Sequence, residues 1–199
     1  MSWSPDTVYV GGLGFFSASV ELFGDPDWPR TSPCQGWTAL DVLGHVGATI
    51  GFGTRLLRGE QPEWSPGDPP GALVGGDPRT WWDGLVTPAL QAVAGVDLAA
   101  VVESPVGRRS IGDGLSFPAL DLFVHAWDLA RCLGRDVVIP AEIIEFAEVI
   151  FRPIPSGQMR SPRIFAAALA APPDATPTEA FIAWTGRDPR WTAATAGSA

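Results

Sequence analysis

The sequence predicts an all-α domain. Apolar residues recur at three- and four-residue spacing in one stretch after another, not in alternation. Most of these stretches open on a capping residue or a proline and close on glycine. Pro- and Gly-rich loops separate them, and only residues 96–114 carry strand character.

The first helix is expected from about Asp6 to Phe23, capped by Asp6 or Ser4, with Val8, Leu13, Phe16, Val20 and Phe23 on one face. Gly11, Gly12 and Gly14 lower its propensity but leave room for a close neighbour, a helix or a ligand. The loop GDPDWPRTSPCQGW follows. Thr38 then opens a second helix, with Asp41 completing a T-x-x-D capping box. Residues 59–76 form a Pro/Gly linker, too long for a tight connection and expected to fold over one end of the bundle. Asp77 and Pro78 start the third helix, which Pro88 should kink. Trp81 and Trp82 are adjacent and cannot both face its core. VESPVGRRSI reads as two short strands about a Pro-Val-Gly turn.

The fourth helix is the organising one, expected over Phe117 to Gly134, with Ser116 and Pro118 at its start. A fifth follows Pro140, and its apolar face includes Ile143, Phe146, Ala147 and Ile150. Ser161 with Pro162 opens a short helix, SPRIFAAALA. Thr176, Pro177 and Glu179 open the last one, which ends at Gly186. The tail TAATAGSA is expected to be disordered. No internal repeat or second-domain boundary is visible, so residues 1–199 read as one domain: a bundle over about 5–136 and a helical extension over about 137–192.

Composition narrows the function. Hydrophobic residues make up 46% of 199, which argues for a packed core. A net charge of −9 disfavours nucleic acid and anionic membrane as partners. No apolar run reaches transmembrane length, and MSWSPDTVYV lacks the pattern of a signal peptide, so the cytoplasm is the expected compartment. All 13 basic residues are arginine, which removes lysine Schiff-base chemistry and the P-loop lysine. The cysteines, Cys34 and Cys132, form no C-x-x-C, and a disulfide is not expected in the cytosol.

The chain has two histidines, His45 and His125. Asp121 and His125 are four apart and leave one helix face a turn apart, so they can grip one divalent ion. His45, on the second helix, would add a third ligand and leave a fourth position open, as catalytic metal sites do. Asp41, four before His45, competes as a carboxylate ligand, although capping already explains it. Thr49 and Phe52 follow on the His45 face and would line the pocket; Trp37 and Trp127 would add aromatic walls. Asp128 is placed either to orient an imidazole from behind or to pair with Arg131 one turn on. Arg55 and Arg58 are either receivers of an anionic substrate or solvated surface.

Three segments together resemble the DinB-like superfamily that includes mycothiol-dependent maleylpyruvate isomerases: SPCQGWTALDVLGHVG, ALDLFVHAWDLARCLGRD and FIAWTGRDPRW, the last resembling the ending of an actinobacterial subfamily. The resemblance implies a DinB-like four-helix bundle, with extra C-terminal helices here, and a divalent metal held by His45, Asp121 and His125. Zinc is the first expectation, with nickel, iron or manganese as alternatives. It implies a small-molecule substrate, a low-molecular-weight thiol (mycothiol) as co-substrate, and thiol transfer, isomerisation, elimination or cyclisation as the reaction. A homodimer is left open. The family usually has Glu where Asp121 stands, and Asp reaches about 1.5 Å less. The isomerases also carry a separate C-terminal domain, whereas only the stretch 137–192 follows the bundle here. Two rival readings are a metal-free pocket enzyme and a bundle that binds a metal or small ligand without turnover.

Overall fold

A computed structural model describes residues 3–103, 107–155, 159–160 and 165–193. Among them are six α-helices: α1 (Pro5–Val20), α2 (Ala39–Leu57), α3 (Pro78–Val93), α4 (Ile111–Cys132), α5 (Ala141–Phe151) and α6 (Pro177–Trp184). Strands β1 (Val101–Val102) and β2 (Arg109–Ser110) pair antiparallel, Val101 opposite Ser110 and Val102 opposite Arg109. The Pro-Val-Gly turn expected between them falls partly on residues 104–106, outside the described residues.

The first four helices make a four-helix bundle. α1 packs along α4 and α3, and α2 packs along α3 and α4, so the order around the bundle is α1, α4, α2, α3. Gly12 lets α1 and α4 approach closely: a Cβ there would meet the Ala119 carbonyl and the Leu122 side chain at 3.0 Å. Gly11 and Gly14 have no such neighbour. Trp82 is buried, bonds Ser17 Oγ through its indole nitrogen at 2.8 Å and packs on Phe16. Trp81 points the other way, and its ring lies where a Cβ of Gly47 would be, 2.1 Å from that point. α3 continues through Pro88.

Asp41 caps α2. Its carboxylate accepts from the Thr38 N–H at 2.8 Å and hydroxyl at 2.7 Å, while Thr38 Oγ accepts from the Asp41 N–H. The other Asp41 oxygen accepts from the Gly71 N–H at 3.0 Å, which ties the long linker down onto the start of α2. The linker's 3-10 turn, Pro70–Leu73, sits so close that a Cβ on Gly44 would lie 2.1 Å from the Pro70 carbonyl oxygen. Asp41 is thereby occupied as a cap and a clasp, not as a ligand.

α4 corrects the expected boundary. It starts at Ile111, with Ser110 as the N-cap accepting from the Asp113 N–H, so Pro118 lies inside the helix and not in its first turn. Pro118 cannot donate to the Gly114 carbonyl four residues back, and the helix runs on without that bond. The short helix expected from Ser161 also differs. Residues 161–164 lie outside the described residues, and 166–172 carry no helix. Ala166 to Ala171 are exposed, so high alanine propensity has no apolar face to bury and a stretch this short cannot sustain itself. The expectation for the tail falls largely on residues 194–199, also outside the described residues.

α5, α6 and Phe165 between them pack against the bundle through an aromatic cluster. Phe151 sits 5.4 Å from Phe117 of α4, 5.5 Å from Phe165 and 5.2 Å from Trp184 (ring centroids). No described helix is long and apolar enough to cross a membrane.

Candidate metal centre

α2 and α4 lie side by side and bring the two histidines together, their ring centroids 5.0 Å apart. Asp121 stands between them. His45 Nε2 is 3.3 Å from Asp121 Oδ2, and His125 Nε2 is 3.4 Å from Asp121 Oδ1. The ligand atoms of all three lie within 4.8 Å of one another. The shorter aspartate therefore still reaches both imidazoles.

The far side of His125 is held separately. Asp128, fully buried, bonds its Nδ1 at 2.8 Å. Asp128 in turn accepts from Arg187 Nε at 2.8 and 3.0 Å on its two oxygens, and from the Cys34 thiol at 3.3 Å. Arg187 also reaches Cys34 Sγ at 3.5 Å. Asp128 thus orients an imidazole and does not pair with Arg131. Arg131 turns instead to Asp136 and the Pro189 carbonyl, with its guanidinium 5.5 Å from the Trp127 ring.

Charge follows geometry. Burial opposes ionisation of Asp121, but the facing His125 and His45 outweigh it and hold the carboxyl far below the usual carboxylate range. Burial likewise opposes protonation of His125, but Asp121 and then Asp128 outweigh it and raise the imidazole well above its ordinary value. For Asp128 burial is again overcome, chiefly by the Arg187 guanidinium and then by His125.

The donors suit a divalent ion. Two donors bonded to one ion at about 2.1 Å and a tetrahedral angle stand about 3.4 Å apart, which is the spacing His45 and His125 keep from Asp121. A carboxylate behind the ligating imidazole is the usual support of such a histidine. A second cluster, Cys34, His125 and Asp128, also gathers ligand atoms. Arg187 already supplies the positive charge there, so a cation would meet repulsion at 3.5 Å or less from its partners.

The donors open into a cleft of about 550 Å³. Trp37, with its ring 5.1 Å from that of His45, and Thr49 line it; the Thr49 hydroxyl donates to the His45 carbonyl. Phe52 does not: two turns beyond His45, it lines a neighbouring cavity. Trp127 is also placed elsewhere. Two residues past His125 it leaves the opposite face of α4, and it is buried beside Arg131. Arg55 pairs with Glu60, and Arg58 reaches the Pro88 carbonyl; neither lines the cleft. Phe151, Phe165 and Arg187 form the opposite wall, so the C-terminal extension closes the cleft that the bundle opens.

Cys34 and Arg187 escape a reading of the sequence alone, since no spacing links them to α4. The one available signal is that both sit inside segments quoted for the resemblance, SPCQGW and GRDPRW.

Comparison with known proteins bears on the fold and the family. The profile of the family described as Mycothiol maleylpyruvate isomerase N-terminal domain matches residues 13–130. Two uncharacterized proteins of Mycobacterium tuberculosis, MT0763 of strain CDC 1551 / Oshkosh and Rv0738 of strain ATCC 25618 / H37Rv, are each 28% identical over 171 residues, 80% of this chain and 84% of theirs. The crystal structure of the mycothiol-dependent maleylpyruvate isomerase superimposes with a TM-score of 0.57 at 17% identity, over 71% of this chain and 65% of that one. A histidine-to-alanine mutant of that enzyme gives 0.55 over the same shares. This chain therefore covers slightly less than two thirds of the isomerase, and at such identity the likeness is one of fold. With the profile match extending over more than half of its length, the chain belongs to the mycothiol maleylpyruvate isomerase N-terminal domain family.

Proposed function

We propose that this protein is a metal-dependent enzyme acting on a small molecule, with His45, Asp121 and His125 as the ligands of one divalent ion, zinc first, and a low-molecular-weight thiol of the mycothiol type as co-substrate. The observation that carries the reading is the placement of two imidazole Nε2 atoms 3.3 and 3.4 Å from the two oxygens of one carboxylate, at the end of an open cleft. A divalent ion in such a site acts as a Lewis acid and lowers the pKa of a bound thiol or water. Thiol transfer and isomerisation, the reactions the family resemblance suggests, both draw on that chemistry.

The chain's own residues have definable parts. Asp128 fixes the ring of His125 by holding Nδ1, so that Nε2 faces Asp121. Arg187 holds Asp128 and presents a cationic edge to the cleft, where an anionic portion of a thiol co-substrate finds a partner. Trp37 packs beside both imidazoles and limits water on that side.

The test is metal binding by tag-free protein. Equilibrium dialysis against zinc should give about one ion per chain, and His45→Ala and Asp121→Ala should each weaken it at least ~100-fold with helical content unchanged. Fewer than ~0.2 ions per chain after dialysis against zinc, nickel, iron and manganese in turn would overturn the reading.

A further inference from the structure

Alongside the cleft lies a second cavity of about 410 Å³, between α2, the start of α4 and the linker. Thr49, Trp64 and Pro118 line both. Its walls are apolar, chiefly Phe52, Leu56, Leu57 and Leu115, and Trp64 stands edge-on to Phe52 at 5.3 Å. Of the described residues that line it, Arg109 alone carries a charge. The Nε of Arg109 is buried and has no hydrogen-bond partner among the described residues. The neighbouring Arg108 takes a local carboxylate, Glu103, at 3.5 Å. No carboxylate among the described residues pairs with the Arg109 guanidinium, and a cation without a counter-charge on an apolar wall attracts an anion that enters beside it. Tyr9 also lines the space; burial pushes its phenol well above the ordinary value, against the smaller opposing effect of Thr54, so it remains a neutral hydroxyl.

Two glycines face the space and leave their Cβ positions empty. Glycine inside a helix costs about 0.5–1 kcal/mol relative to alanine. Gly44 and Gly47 are explained by Pro70 and Trp81. Gly53 on α2 is not: a Cβ there meets nothing within 4 Å. On α4, a Cβ at Gly114 would meet only the Arg109 side chain, at 3.7 Å. Both glycines face the cavity.

We propose that this chamber seats the apolar, carboxylate-bearing part of the substrate, with Arg109 receiving the carboxylate and the rest of the molecule reaching the metal-facing cleft past Thr49. Arg109 lies against Gly114, seven residues before Asp121, or about 10 Å along the helix. The substrate class is therefore an extended apolar monocarboxylate, a medium-chain or aryl-alkanoic acid, and not a compact diacid. The catalytic meaning of the chamber rests on the proposed function; its binding of such acids does not.

Calorimetric titration of the full-length protein with decanoate and with decan-1-ol tests this. Decanoate should saturate one site per chain, at least about tenfold tighter than the alcohol. Arg109→Gln should weaken decanoate at least about tenfold and leave decan-1-ol unchanged, while Arg109→Lys should retain part of the preference. Gly53→Leu, a better helix former whose side chain enters the open space, should remove binding of both. His45→Ala should bind decanoate as the wild type does, so a failed metal reading leaves this result standing and a failed chamber leaves metal binding intact. Equal affinity for acid and alcohol, or decanoate binding that Arg109→Gln or, where that variant does not fold, Gly53→Leu leaves unchanged, would overturn the proposal.

Discussion

Replacing Arg187 with methionine keeps much of the side chain's volume and removes only its charge and donors. Asp128 would then be a fully buried carboxylate supported by His125 and the Cys34 thiol alone. Breaking a buried ion pair costs about 3–5 kcal/mol, because the remaining charge stays out of water unpaired. Two partners remain, which sets the expectation at the lower end, about 3 kcal/mol. In a chain of this size each kcal/mol moves the melting temperature by about 2–4 °C, so Arg187→Met should melt roughly 6–12 °C below the wild type by circular dichroism or calorimetry. The double variant Arg187→Met with Asp128→Asn should recover part of the loss, with a coupling of about 1–3 kcal/mol, since a neutral amide needs no cation. Zinc affinity should fall about 10–100-fold in the single variant as His125 loses its fixed orientation. A melting temperature within about 2 °C of wild type, or strictly additive single and double variants, would refute the reasoning.

Two further outcomes are expected. Burial opposes the charge of Asp41, but bonds from Thr38 and Gly71 outweigh it and hold the carboxyl below its ordinary value. Its contribution is therefore complete above an unfolded value of about 3.9 and is lost as pH falls through the lower folded one. Asp41→Asn should be less stable than wild type by about 0.5–2 kcal/mol at neutral pH, and the gap should narrow below about pH 4 in melting curves taken across pH. Cys132 is buried, and burial followed by the Asp128 carboxylate pushes its thiol well above the ordinary value, whereas Cys34 lines the cleft. A thiol reagent at mild pH should count one reactive cysteine in the native protein and two in denaturant; Cys34→Ser should abolish the native signal.

Sequence periodicity and caps were enough to place α2, α3 and α6 because their signals are local: Thr38 with Asp41, Asp77 before Pro78, Thr176 with Glu179. The start of α4 was hidden because Pro118 is a strong first-turn signal, yet the helix begins at Ile111 and runs through it. The pairing of Asp121 with His125 lies within one helix turn and is visible in the chain; with two histidines present, His45 was the remaining candidate. The support behind His125 was not legible. Asp128 has an arginine three residues away in sequence, yet its partner is Arg187, 59 residues on, which only the folded C-terminal extension delivers. Trp127 shows the converse: proximity in sequence to His125 suggested a cleft residue, and helix geometry sends it to the other side.

The two walls of the cleft come from different lengths of chain. Everything that faces the expected ion lies between residues 34 and 128, inside the family match, while Phe151, Phe165 and Arg187 arrive from beyond it. The proposed ligands and the wall opposite them are thus written separately, and a new cover could be fitted to the same bundle without disturbing a donor atom. The grip of Arg187 on Asp128 is the exception, a single latch through which an exchanged cover would make itself felt at the imidazole.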